Sequence, residues 1–227
     1  MSRITFVEVF VEYWVLEPQG DRIVSNGCII DCMAVRSEAS HKAILEATME
    51  LLDPDSGEGI SVQKLSIERI ARVAGVSKTT IYRWWPSKVA VVIDSFVASH
   101  IARTPVRDDL PGLEALREHM GALVETYATH EGRLISQLIA ECQHDQSAMK
   151  EFKERFWHNR RAAAVSIIRR AQEEGDIWSE LDPVGVADLI YSPIYFRLLF
   201  QSGPLERAWS DRVLDIALTG ITPREAA

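Results

Sequence analysis

Cysteine is scarce in this chain: Cys28, Cys32 and Cys142 are the three. An odd and sparse count fits reduced thiols and excludes a disulfide framework. Cys28 and Cys32 stand four apart, a spacing that can chelate a metal, but no second pair completes a site. Long apolar runs are missing too. None reaches the ~18 residues of a membrane span. The N-terminal stretch from Phe6 to Leu16 is broken by Glu8 and Glu12 and preceded only by Arg3, unlike a signal peptide. These absences point to a cytoplasmic protein with no membrane partner. Enzyme motifs are equally lacking. There is no G-x-S-x-G elbow and no phosphate-cradling loop, since Gly57 and Gly59 are followed by Val62 where a third glycine belongs. The six histidines show no H-E-x-x-H spacing. No catalytic residue, metal site or cofactor is assigned.

Positive charge is in deficit overall, with a net charge of −8, which argues against a protein that binds nucleic acid over its whole surface. The distribution is uneven. Residues 61–104 carry seven basic and two acidic side chains, against four and eleven in residues 1–60 and fourteen and twenty in residues 105–227. A short basic segment inside an acidic protein is the footprint of a local anion-binding face, with nucleic acid the first candidate.

Apart from residues 1–33, the chain reads as helical throughout, with no strand alternation and no internal repeat. Residues 1–36 read as an N-terminal extension: a strand pair, a partner-binding arm or an ill-ordered tail. Met33 opens ordinary domain-like composition and is a candidate start of translation. From Ser37, with Ser37 or Ser40 as cap, Ile44, Ala47, Thr48, Leu51 and Leu52 mark one helical face. The turn chemistry of Asp53 to Gly59 ends it. Ser66 caps a second helix with Ile67, Ile70, Ala71 and Ala74 inside, and Gly75 ends it. Ser77 caps a third, over residues 78–85, which Pro86 stops. A connecting helix spans residues 87–102, and a Pro- and Asp-rich bend over 103–112 follows. About five further helices are expected: 113–129, 133–143, a long one over 148–174 ended by Gly175, one opened by Asp182-Pro183, and one over 204–218.

Residues 66–85 thus hold two short helices joined at Ala74-Gly75-Val76-Ser77, a helix-turn-helix. In that motif the second helix enters the major groove while the first crosses the backbone. Lys78, Thr79, Thr80, Tyr82 and Arg83 put donors and small side chains on one face of the second helix, while Ile81 and Trp85, four apart, face the core. Ser77 leaves a helix N-terminus open to phosphate, and Lys88 reaches a second phosphate as a point charge.

The stretch from Leu65 to Lys88, with its Ile-Ala, Ala-Gly-Val-Ser, Thr-x-Tyr and Ser-Lys spacings, resembles the DNA-binding signature of the tetracycline-repressor (TetR/AcrR) family. The likeness extends over about residues 38–220. Leu138-Ile139-Ala140-Glu141, Arg160-Arg161 and residues 194–199 resemble one branch of the family.

The resemblance implies an all-α homodimer. A three-helix DNA-binding head (37–86) joins through the connecting helix (87–102) to a helical ligand-binding and dimerisation domain (103–227). It implies binding of double-stranded DNA at an inverted-repeat operator, released when an unidentified small-molecule ligand shifts the connecting helix. Carried onto this sequence, it places Ser66, Tyr82 and Lys88 on phosphates and Lys78, Thr79 and Thr80 nearest base edges. Trp84 departs from the pattern: it either stacks on sugar or a thymine methyl, or packs on the head itself. The loop between Asp53 and Leu65 is longer and more acidic than the family pattern.

Tyr127, Phe152, Phe156, Trp157, Tyr191 and Tyr195, with Phe196, are candidate ligand-contacting residues by analogy, against the competing reading of an aromatic stripe as plain core. The helix over 184–200 is apolar nearly all round, which fits a dimer interface, and Pro193 inside it should kink it or free a carbonyl. Glu141, Cys142, His144 and Asp145, with His158, form a weak metal-binding candidate at a helix end. The function read from the sequence is a ligand-released transcriptional repressor. The alternative is a constitutive DNA-binding regulator without a ligand response.

Overall fold

The computed structural model of the protein describes residues 29–56 and 59–222, with side chains from residue 38 onward. Among the described residues ten α-helices follow one another: α1 (Ile29–Leu52), α2 (Ile67–Ala74), α3 (Lys78–Tyr82), α4 (Lys88–Arg103), α5 (Gly112–Tyr127), α6 (His130–His144), α7 (Gln146–Phe152), α8 (His158–Glu173), α9 (Pro183–Phe200) and α10 (Arg207–Ile221). No strand occurs among the described residues.

The first helix begins eight residues before Ser37. Ser37 and Ser40 are therefore not caps but lie inside α1, and a boundary at residue 36 cuts that helix. Residues 29–52 contain neither Gly nor Pro to stop it. The remainder of the N-terminal extension, Cys28 included, lies outside the described residues, as does the side chain of Cys32.

Local chemistry accounts for the other boundaries. Ser66, Ser77 and Ser87 each cap a helix, accepting from the backbone N–H of Arg69, Thr80 and Ala90. Gly75 ends α2 at φ 65° and Gly175 follows α8 at φ 88°, conformations that a Cβ disfavours. Asp182 caps α9 with Pro183 in its first turn. α3 is shorter than its sequence signal, because the chain tightens after Tyr82 so that Trp84 and Trp85 both donate to the Ile81 carbonyl. The long helix expected over 148–174 is not regular. A π-turn over Lys153–Trp157 separates α7 from α8, a feature with no simple signal in hydrophobic spacing.

One continuous core joins the head to the rest. Ile44, Ile70, Ile81 and Trp85 are buried with Val92, Ile93 and Phe96 of α4, which meet Leu116, Ile135, Leu138, Phe156 and Ile167 behind them. α4 is thus packed on both sides. Two polar links fix the head to the larger domain. The Val62 N–H donates to Gln137 of α6 at 2.9 Å. Trp85 Nε1 donates to Asp94 at 2.7 Å, and Asp94 also accepts from Arg155 of the π-turn at 2.9 Å.

Candidate functional site

The surface of the head is built by α2, α3 and the turn that joins them. Packing α2 and α3 through Ile67, Ile70 and Ile81 leaves the opposite face of α3 outward. Lys78, Thr79, Tyr82, Arg83 and Trp84 are exposed there, Tyr82 by 54%. Ser66 Oγ and Ser77 Oγ accept capping bonds. A hydroxyl retains its own proton while accepting, so the capping serine remains able to donate to a phosphate oxygen. Ser77 Oγ and Thr80 Oγ1 also lie 2.9 Å apart. Lys78 Nζ donates to Glu68 at 2.9 Å. This exposed pair raises the lysine pKa and lowers that of the glutamate, the mutual hydrogen bond being the main cause.

Behind α4 lies a cavity of about 190 Å³ bounded by α4, α5, α8 and α9. Its polar wall is a relay. Arg160 Nη2 donates to the Thr104 carbonyl at 2.9 Å, to Thr104 Oγ1 at 3.1 Å and to His119 Nε2 at 2.7 Å. A guanidinium has no acceptor, so Nε2 of His119 is unprotonated and its proton sits on Nδ1. That nitrogen lies 2.7 Å from the Tyr191 hydroxyl and donates to it. Burial, reinforced by the Arg160 charge, pulls both His119 and His100 down to about 3. Tyr127 and Tyr195 face each other hydroxyl to hydroxyl at 3.3 Å. Burial raises the pKa of Tyr127, Tyr191 and Tyr195.

Next to this cavity, α4 grips α6. Glu131 is fully buried, accepting from Ser99 at 2.6 Å and pairing with Arg103 at 3.1 Å. Its Oε2 and the Nδ1 of His100 stand 4.0 Å apart, and neither has a hydrogen-bond partner.

Two family models match the chain. Residues 58–94 match "Bacterial regulatory proteins, tetR family", and residues 113–217 match "Tetracyclin repressor-like, C-terminal domain". The HTH-type transcriptional regulator YdeS of Bacillus subtilis is 33% identical over 191 residues, which cover 84% of this chain and 94% of that protein. The chain belongs to the TetR family. Among solved structures, the TetR family transcription regulator SCO0332 is 31% identical with a TM-score of 0.67, over 83% of this chain and 99% of that one. Thermus thermophilus FadR, a TetR-family repressor solved with lauroyl-CoA, shares the fold at 21% identity and a TM-score of 0.61, over 82% and 97% of the two chains. These relatives are regulators of transcription, not enzymes.

Within this TetR-family regulator the residues expected at DNA divide into two groups. Ser66, Ser77, Lys78, Thr79, Thr80, Tyr82 and Arg83 lie on or beside the helix-turn-helix, and Tyr82 is no core residue. Lys88 is used differently from the expectation of a free point charge: its Nζ donates to the carbonyls of Val62 and Gln63 at 3.0 Å each and closes the turn before α2. Trp84 packs on the head, its ring edge-on to His41 at 5.1 Å, with Arg83 over it at 5.8 Å, while 40% of it stays exposed.

Of the aromatic candidates, Trp157, Tyr191 and Tyr195 line the cavity. Phe152 and Phe156 do not; they are core, Phe152 tilted against Phe156 and Phe156 edge-on to Phe96. Tyr127 sits behind Tyr195, and Phe196 points outward, 59% exposed. Cys142 is buried, donating to the Ala148 carbonyl with burial pushing its thiol up to about 11, and Asp145 caps α7. Those two therefore have structural roles. The sequence reading singled out Arg160 only as part of the Arg160-Arg161 family resemblance, not as a cavity residue, and did not single out His100 or His119. Of the two histidines only His119 left a trace, as an imidazole between Leu116, Met120 and Leu123 on an otherwise apolar stripe.

Proposed function

We propose that this TetR-family regulator binds an inverted-repeat operator as a homodimer, represses from it, and is released when a small molecule enters the cavity behind α4. The observation that carries this reading is the shared guanidinium of Arg160. Arg160 lines the cavity, and its Nη2 holds the Thr104 carbonyl and hydroxyl at the C-terminal end of α4. A ligand that draws Arg160 towards itself competes with Thr104 for the Nη2 hydrogens. α4 carries the strain to the head through Asp94, which holds Trp85 at the end of α3.

The homodimer rests on an unpartnered face. Leu189, Phe196, Leu199 and Phe200 of α9 and Ile216 of α10 are 43–72% exposed, while Ile190, Ile194 and Leu198 of α9 are buried inside. A contiguous apolar face on a helix otherwise buried in the core fits a self-complementary two-fold interface. A dimer places its recognition helices about one helical turn of DNA apart, ~34 Å.

Selection of genomic DNA fragments on the purified protein tests the whole reading. An enriched inverted repeat is the expected result. Enrichment of nothing above background from a folded dimer refutes sequence-specific binding by the unliganded protein.

A further inference from the structure

We propose that the cavity takes a compact aromatic carboxylate: a single ring packed against the walls formed by Trp157 and Tyr195, its anion meeting Arg160 and the hydroxyls of Tyr191 and Tyr195. The proposal deepens the ligand-released reading and rests on it for its regulatory meaning.

Size sets the body of the ligand. An apolar cavity of about 150 Å³ holds a benzene molecule. The roughly 190 Å³ here matches one ring with a small polar group and is too small to enclose a whole fatty acyl chain. The walls are aromatic, with Trp157 and Tyr195 meeting edge to face at 5.7 Å, and rings prefer ring neighbours at such distances.

Hydrogen-bond accounting sets the head. Because Arg160 forces the His119 proton onto Nδ1, Tyr191 spends a lone pair on His119 and keeps its own proton. Tyr191 is 9% exposed, lines the cavity, and has no acceptor for that proton among the described residues. The Tyr127–Tyr195 pair uses one of its two protons in the single bond between them. Donation by the deeper Tyr127 leaves the proton of Tyr195 facing the cavity. A cavity that offers two phenolic protons beside a guanidinium is short of acceptors, and a carboxylate supplies up to four lone pairs at once. The carboxylate at the rim, Asp188, is already paired with Arg161.

The test is calorimetric titration of the full chain with benzoate, benzyl alcohol and lauroyl-CoA, repeated on Tyr191→Phe, with circular dichroism to confirm its fold. Benzoate is expected to bind one per chain at millimolar concentration or below, about tenfold tighter than benzyl alcohol, and to lose about tenfold in Tyr191→Phe, the loss expected for one bond to a charged group. Benzoate that fails to bind, that binds no better than benzyl alcohol, or that binds the folded variant equally overturns the proposal. So does preferential binding of lauroyl-CoA. DNA retention measured in parallel separates the two readings. Benzoate that binds as expected while DNA stays bound keeps the site and removes ligand release. DNA released only by a compound that benzoate does not displace removes the site and keeps ligand release.

Discussion

His119 has one tautomer because Arg160 leaves it no other, and that single proton decides which atoms of the cavity can receive a ligand. The same burial has a cost in acid. His100 and His119 sit at about 3 in the folded protein, against 6.5 ordinarily. As pH falls below 6.5 the unfolded chain gains protons that the folded chain refuses, so stability is lost from there down towards 3. Each histidine contributes about 1.4 kcal/mol per pH unit, or about 2 kcal/mol by about pH 5. Urea unfolding at about pH 7 and about pH 5 should show this loss before most carboxylates titrate; a flat profile contradicts a neutral buried pair. At the head, Lys78→Ala or Thr80→Ala should weaken specific binding by about 1–3 kcal/mol without changing the melting temperature. Lys88→Ala should lower DNA affinity for all sequences and also the melting temperature, since it releases the Val62 and Gln63 carbonyls. Unchanged stability in that variant would leave Lys88 a phosphate contact alone.

Among the elements, α2, α4 and α9 are the ones whose chemistry was written openly in the sequence. Ser66 and Gly75, Ser87, and Asp182-Pro183 are terminal signals that act within three or four residues and so depend little on tertiary contacts, whereas Ser37 and Ser40, with no helix breaker beside them, lie inside α1. The cavity was less legible for a physical reason. Phe152 and Phe156 share a helical stripe with nothing to distinguish core from lining, and the π-turn, which contains Phe156 and lies between Phe152 and Arg160, has no simple signal in the spacing of apolar residues. Arg160, His100 and His119 come from three helices, and their meeting is a tertiary fact. The link from α3 to the π-turn makes an element-scale prediction. Asp94→Ala strands Trp85 Nε1 and leaves Arg155 with Glu151 alone. It should cost about 1–3 kcal/mol in unfolding free energy. Trp85→Phe in the Asp94→Ala background should then cost less than Trp85→Phe alone, and equal costs would show that the two residues do not act together.

For the molecule as a whole, the decisive surface is the outer face of α9 and α10. Replacing Leu189 and Phe200 together by glutamate removes two apolar anchors, each worth about 1.5–3 kcal/mol when buried. Dimerisation should weaken by about a hundredfold or more, visible as a monomer in sedimentation, and affinity for a two-site DNA should fall with it. A variant that remains dimeric would place the interface elsewhere.

The π-turn at Lys153–Trp157 gives chain length a meaning here that it lacks in a surface loop. One residue in an α-helix is about 100° of rotation and about 1.5 Å of rise. Losing Lys153 or Glu154, both exposed, would change neither the composition of the core nor the number of helices. It would turn Trp157 and Arg160 away from the cavity or turn Phe152 away from α4, because one rod could no longer serve both. In an alignment of relatives, a one-residue gap at this point therefore marks a change of ligand, and sequences of equal length through it share a pocket register even where the aromatic residues differ.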